Sequence, residues 1–149
     1  MKKLVCIAAT LLAIGITFVA SPARAAQPIT KADFIAVCPL DLPGAAVHST
    51  ATADGLVVAF ETGVANSLPE LKMRVEKLSA LINTVMEQPA DVPRGTVKFS
   101  SAYEATEKGA NVVLKPADAK DLEKLQTNVS AKMGTMNAEK KCHFLANVG

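Results

Sequence analysis

Hydrophobic and polar positions recur along this chain at a constant spacing. Residues 52–60 match residues 106–114 position by position, which is an offset of 54. The same offset relates four later pairs: Leu68 and Leu122, Leu71 and Leu125, Val75 and Val129, and Asn83 and Asn137. Self-similarity at a fixed period indicates one supersecondary unit used twice. We therefore predict two consecutive units, at about 43–88 and about 95–141, with a linker at 88–95.

Each unit begins with a pattern that is typical of a β-hairpin. In the second unit Val97, Phe99 and Tyr103 alternate with polar residues such as Lys98, and this period of two predicts a half-buried strand. A four-residue turn at 106–109 follows, and a second strand returns over 110–115. The equivalent turn in the first unit lies at 52–55.

Glycine occupies the same turn position in both units, as Gly55 and Gly109. A type I turn with glycine in a G1 bulge fits both turns, because glycine adopts positive φ without steric cost. On the returning strands, the positions expected to face the core are Val58, Phe60, Val112 and Leu114. The positions expected to face outward are Val57, Ala59, Asn111 and Val113.

An amphipathic helix follows each hairpin. In the first unit the run 67–70 (Ser-Leu-Pro-Glu) predicts a capping box with proline in the first turn. Its apolar stripe is Leu68, Leu71, Val75, Leu78, Ile82 and Val85. In the second unit Asp118 is the expected cap, and the stripe is Leu122, Leu125, Val129, Met133 and Met136.

One ββα unit covers too little apolar surface to be stable alone. Two units can join their hairpins into one four-stranded antiparallel sheet with both helices packed on one face. The opposite sheet face then carries the polar alternation and is largely solvated. We therefore predict an α+β fold over residues 26–149 as a single domain, with a further short helix possible within 26–36.

The first 25 residues have the pattern of an export signal. Lys2 and Lys3 precede an apolar run over 4–20, and residues 23–25 (Ala-Arg-Ala) form a small-x-small cleavage site. An uncleaved anchor is the alternative, since about 17 apolar residues approach the lower limit for a membrane span. The proline and the cleavage-type tail favour removal after Ala25, and the bacterial style of the signal predicts a periplasmic protein.

Loss of the signal changes the electrostatic character of the chain. Three cations and no acid are removed, so the formal charge of +2 becomes −1. Binding to nucleic acid by counterion release needs a basic stripe, and the mature sequence has none. A polybasic membrane patch is equally lacking. We therefore expect neither a nucleic-acid partner nor stable membrane insertion after signal removal.

Two cysteines remain after processing, Cys38 and Cys142. An even pair in an oxidising compartment predicts first a disulfide. The alternatives are two unpaired thiols, which with His143 and His48 could bind a soft or borderline metal, and an intermolecular bond. Adjacent Cys-His is not a recognised ligand spacing, so we assign no metal site.

The sequence contains little that indicates catalysis or copper binding. No nucleophile elbow, phosphate-binding glycine loop or zinc-protease motif is present, so we expect no enzyme and no cofactor. Copper binding through methionine is a further alternative, but Met133 and Met136 lie on the helix stripe, where methionine usually fills a core.

The chain resembles a group of small exported proteobacterial proteins of unassigned activity with tandem ββα repeats. The resemblance rests on Cys38-Pro39, on the turn and strand at 52–60, and on the segment from Gly109 to Cys142. These are turn, cap and core residues, so the resemblance implies a fold. Relatives often have Met after Cys-Pro and a Met-His pair late in the first helix; this chain has Leu40 and 81–83 (Leu-Ile-Asn) there.

Together these observations favour a non-catalytic periplasmic module that binds an unknown protein or small ligand. Soft-metal binding through Cys38, Cys142 and His143 is the alternative. The pattern leaves the strand order and the oligomeric state open.

Overall fold

A computed structural model describes residues 29–88 and 96–142 and shows an α+β fold, as predicted. Its helices and strands, in chain order, are α1 (Lys31–Ala36), β1 (Ala45–Ala51), β2 (Leu56–Thr62), α2 (Leu68–Glu87), β3 (Phe99–Ala105), β4 (Gly109–Pro116) and α3 (Leu122–Glu139). Single 3₁₀ turns precede β1, α2 and α3. The predicted signal at 1–25 and most of the predicted linker lie outside the described residues.

The four strands form one antiparallel sheet in the order β1-β2-β4-β3. The second strand of each hairpin is therefore central, and the first is an edge strand. Val57 and Val113 are paired in register at the centre, where β2 meets β4. This pairing joins the two hairpins through their returning strands.

The core lies between the sheet and the two long helices. The inward positions of the central strands are 0–1 % exposed: Leu56, Val58, Phe60, Ala110, Val112 and Leu114. The middle of the predicted α2 stripe is equally buried, at Leu71, Val75, Leu78 and Ile82. The α3 stripe is 0–6 % exposed at Leu125, Val129, Met133 and Met136. The predicted inward face of the strands and the helix stripes are confirmed.

Each long helix packs mainly on the hairpin that it does not follow in sequence. Helix α2 contacts β3 and β4 more than β2, whereas α3 contacts β1. The two ββα segments therefore interlock, and neither hairpin receives its main cover from its own helix.

The expected positive φ at the turn glycines is wrong, and with it the G1 bulge. Among the described residues only Gly44 and Lys140 have positive φ. Gly55 and Gly109 are instead buried where β2 and β4 approach each other. A Cβ on Gly55 would lie under 3.0 Å from the carbonyl oxygen of Leu114, and one on Gly109 equally close to that of Phe60. Close backbone approach, not turn geometry, requires glycine at both sites.

The expected capping box at Ser67 is also wrong. A 3₁₀ turn over Ala65–Ser67 leads into α2, so Ser67 already has helical φ and ψ and its side chain makes no capping hydrogen bond. Asp118 does accept from the backbone N–H of Lys120, but it caps the 3₁₀ turn before α3 rather than α3 itself.

The segment before β1 is tied to both long helices. Helix α1 buries Phe34, and Arg74 of α2 donates to the carbonyl oxygen of Cys38 at 3.0 Å. The structure joins Cys38 to Cys142, just after α3, in a disulfide with the Cα atoms 5.4 Å apart. Both ends of the described domain thus meet at one point.

Candidate functional site: the open face of the sheet

The sheet face opposite the helices carries twelve side chains and no described element covers it. We call this surface the open face. It comprises Ala46, His48 and Thr50 on β1, Val57, Ala59 and Glu61 on β2, Asn111, Val113 and Lys115 on β4, and Ser100, Ala102 and Glu104 on β3. These residues alternate with the buried positions, because successive strand side chains point to opposite faces.

The centre of the open face is apolar and partly shielded. Val57 and Val113 form a cross-strand pair, and both are half-buried. Ala59 was predicted to face outward and does so, yet it is only 8 % exposed because larger neighbours cover its single methyl group. The edge-strand residues around this centre, including His48 and Glu104, are exposed.

Charges of opposite sign lie at one end of the open face. The ammonium of Lys115 on β4 donates to the carboxylate of Asp54 in the β1–β2 turn at 2.7 Å. This hydrogen bond, and then the positive charge itself, hold the pKa of the Asp54 carboxyl below its usual value. The same contact raises the pKa of Lys115. The pair is largely exposed, so its contribution to stability is small.

The other end of the open face holds the corresponding charges with the signs exchanged. Glu61 and Lys108 line a shallow groove of about 480 Å³ whose floor includes Gly44, Ala46 and Gly63. The offset of 54 relates Glu61 to Lys115 and Asp54 to Lys108. One end of the face is thus closed by an ion pair and the other forms an open groove.

The cysteines and His48 lie in different environments. Cys38 and Cys142 are 2 % and 5 % exposed and belong to the core on the helix side of the sheet. His48 lies on the open face, and His143 lies outside the described residues. Because the disulfide occupies both sulfurs, neither is available as a thiolate ligand in this structure. Within 29–88 and 96–142 no three residues of the metal-binding types come together.

Among the residues that the structure describes, further depressions lie on the helix side, and two of them are as follows. One, of about 260 Å³, borders the disulfide and is lined by Lys31, Asp41 and Lys141. The other, of about 360 Å³, is a shallow groove between α1 and α2 beside Leu81. Neither brings together a nucleophile, a base and an orienting group in the way that acyl transfer requires.

Sequence reasoning missed the role of two asparagines. Asn83 of α2 exchanges two hydrogen bonds with the backbone of Ser101 on edge strand β3, at 2.7 and 2.8 Å. Asn137 of α3 makes the same two bonds to Val47 on edge strand β1. The only signal was the offset of 54. It relates Asn83 to Asn137, and it also relates the two positions that they bond, Val47 and Ser101.

None of the helices that the structure describes has the length and apolar character needed to cross a membrane. Comparison with protein-family models finds no match, and comparisons with curated proteins and with solved structures find none.

Proposed function

We propose that this protein is an exported, non-catalytic interaction module, and that the open face of its sheet binds the partner. The observation that carries the proposal is the asymmetry of the sheet. One face is covered by α2 and α3, whereas the other presents the half-buried Val57–Val113 pair among side chains that are mostly polar or charged. An apolar centre with a polar rim is the usual anatomy of a protein–protein interface.

Export and the periplasm are supported by the leader pattern and by the disulfide. Disulfides persist in oxidising compartments and are rare in the cytosol. N-terminal sequencing of the exported protein is expected to begin at Ala26, and a chain that still begins at Met1 would contradict cleavage.

We also infer that the two ββα segments are copies of one unit. Two kinds of contact and one pattern of charge recur at the offset of 54. The contacts are the asparagine bonds and the carbonyl groups over the two glycines, and the charged positions at the ends of the open face recur with their signs exchanged. A duplicated unit with reciprocal packing accounts for all three, and it agrees with the resemblance to small exported proteins with tandem repeats.

Site-specific photo-crosslinking tests the binding surface. A photoreactive residue is placed in the exported chain at Thr50 or Ala102 on the open face, and at Glu76 or Thr127 on exposed helix surfaces as matched controls. We expect discrete protein adducts from the open-face positions only. Val57→Asp should abolish them while the protein stays folded, since the half-buried side chain becomes fully buried only in the bound state. Equal adducts from the helix positions, or adducts that survive Val57→Asp, would overturn the proposal.

A further inference from the structure

The register of the sheet arranges the open face in rows that cross all four strands. From β1 to β3, one row reads Thr50, Val57, Val113 and Ala102. The next row reads His48, Ala59, Asn111 and Glu104. Beyond the first row lie Lys115 and the Asp54 turn, and beyond the second lie Glu61 and the Lys108 turn.

We propose that the open face binds a second copy of this chain, sheet against sheet, about a twofold axis parallel to the strands. This rests on the proposed function, because it names the partner of the surface proposed there. Aligned packing of two sheets about 10 Å apart is a common arrangement in β-sandwiches.

Hydrogen-bond complementarity supports this axis at the edge strands. A twofold axis parallel to the strands sets each row against the same row of the second copy. It reverses the order of the strands, so that β1 faces β3 and β2 faces β4. His48 on β1 therefore faces Glu104 on β3 of the second copy, and the symmetry makes this contact twice. The imidazole can donate to the carboxylate across the interface.

On the central strands, the same axis brings charges of opposite sign together. Glu61 is paired in register with Gly109, so it faces Gly109 of the second copy and the adjacent Lys108. By the same operation Lys115 faces the turn of the second copy that contains Asp54. Glu61 and Lys115 thus each meet a charge of opposite sign.

The other aligned face-to-face arrangement fails this electrostatic test. An axis in the plane of the face but perpendicular to the strands sets each strand against the same strand of the second copy. It reverses the order of the rows along the strands. It would set Glu61 against the Asp54 turn and Lys115 against the Lys108 turn, which places like charges together. Like-charge contacts in an interface disfavour that arrangement, so among the aligned arrangements the charges favour the axis parallel to the strands.

The apolar centre fits the selected axis. Val57 faces Val113 of the second copy, again twice, so four valines become covered where the face is already least polar. The face measures roughly 20 Å on each side, from inter-strand spacings of ~4.8 Å and rises of ~3.3 Å per residue. That is small for a protein interface, so we expect association at micromolar rather than nanomolar concentration.

His48 and Glu104 allow a test that separates contacts between chains from contacts within one chain. They stand at opposite ends of one row, three inter-strand spacings or ~14 Å apart, so they cannot pair within one chain. A compensating charge exchange at these two positions can act only through a second copy.

Sedimentation of residues 26–149 with the disulfide intact, from about 1 to 500 µM, measures the association. We expect a reversible monomer–dimer equilibrium. His48→Glu should raise the dissociation constant about tenfold or more, because it opposes Glu104 of the second copy at both contacts. Adding Glu104→Lys to His48→Glu should restore the constant to within about threefold. Glu76→Lys on α2 is the control for charge change away from the face and should leave it unchanged.

Three results would overturn the proposal: a monomer at every concentration, a dimer that His48→Glu leaves unchanged, or a loss that Glu104→Lys does not rescue. Thermal unfolding of each variant shows whether it is folded. A monomer whose open face still yields crosslinked adducts that depend on Val57 would refute self-association and leave the interaction module standing. A monomer without such adducts would refute both.

Discussion

The two turn glycines lie directly beneath carbonyl groups of the neighbouring central strand. No side chain fits there, because even a Cβ would fall under 3.0 Å from the oxygen of Leu114 or of Phe60. Gly109→Ala must therefore separate β2 from β4, and we expect a loss of about 2–4 kcal/mol in the free energy of unfolding.

Gly134 provides the matched control, because it lies within α3 and a methyl group added there would meet nothing within 4 Å. Gly134→Ala should stabilise the protein by about 0.5–1 kcal/mol through helix propensity and reduced freedom of the unfolded chain. Urea denaturation measures both variants. Similar effects at the two glycines would show that close strand approach is not what requires Gly109.

Three exposed aspartates link stability to acidic pH. The backbone N–H of Thr30 lowers the pKa of Asp33, and side-chain hydrogen bonds from Lys115 and Lys120 lower the pKa values of Asp54 and Asp118. A carboxyl whose pKa is lower in the folded state stabilises the protein above its unfolded pKa. That contribution is lost as the pH falls through the folded value.

We therefore expect the free energy of unfolding to decrease as the pH falls below about 4, the ordinary aspartate value. Asp54→Asn should make this decrease shallower, and added salt should reduce the difference from the unmodified protein. Chemical denaturation between pH 2 and 7 checks it. An unchanged acid slope in Asp54→Asn would mean that its contact with Lys115 does not persist in solution.

At the scale of elements, each long helix uses one asparagine to hold an edge strand. Asn83 and Asn137 each satisfy one outward N–H and one outward C=O, groups that an edge strand otherwise offers to another chain. Asn83→Ala and Asn137→Ala should each cost about 1–3 kcal/mol, the penalty for leaving such groups without a partner.

Thr84→Ala is the control for Asn83→Ala, because Thr84 is exposed and bonds only the carbonyl of Ala80 in its own helix. It should change stability by no more than about 0.5 kcal/mol. The double variant Asn83→Ala/Asn137→Ala should also aggregate on heating more readily than the control. Asparagine variants as stable and soluble as Thr84→Ala would show that these hydrogen bonds are not needed to hold the edges.

The local pattern predicts the elements well because burial enforces it. The alternation of apolar and polar residues through Phe60 indicates which side of the strand faces the core. The spacing of three and four residues between apolar positions through Leu71 and Leu125 does the same for the helices, and these assignments are confirmed. Turn and cap chemistry was predicted less well. At Gly55 the deciding contact is with Leu114, far away in sequence, and at Ser67 a preceding 3₁₀ turn changes the backbone conformation.

At the scale of the whole molecule, the sequence could not reveal the crossed packing or the site. Both helix stripes are apolar on one side only, and nothing in either stripe states which hairpin it covers. The open face likewise depends on the strand order, because Val57 and Val113 become neighbours only when β2 pairs with β4. Such pairings join residues that are distant in sequence, and only the folded chain expresses them.

The disulfide closes a large part of the chain into one loop, with a sequence separation of 104 residues. Loop-closure entropy assigns such a bond roughly 4–5 kcal/mol. Cys38→Ser should therefore lower stability by about 2–5 kcal/mol, with part of the effect due to serine in a buried site. A thiol assay on freshly isolated protein, without added reductant, should find neither cysteine reactive. Two reactive thiols would contradict the bond and reopen soft-metal binding with His143.

The crossed packing of the helices predicts that the whole domain unfolds in one step. Since α2 covers β3 and β4 while α3 covers β1, loss of either helix uncovers the hairpin of the other segment. Leu71→Ala in α2 and Leu125→Ala in α3 should each cost about 2–5 kcal/mol.

Both variants should retain a single transition that is coincident by circular dichroism and by near-ultraviolet absorbance of Tyr103 on β3. Val57→Ala, on the open face, should cost less than about 1 kcal/mol in the monomer, because its side chain is only half-buried and touches no helix. Two separate transitions in Leu71→Ala, with Tyr103 reporting only one of them, would mean that the segments fold independently. A single transition at a lower denaturant concentration would instead mean that neither segment can hold its hairpin without the helix of the other.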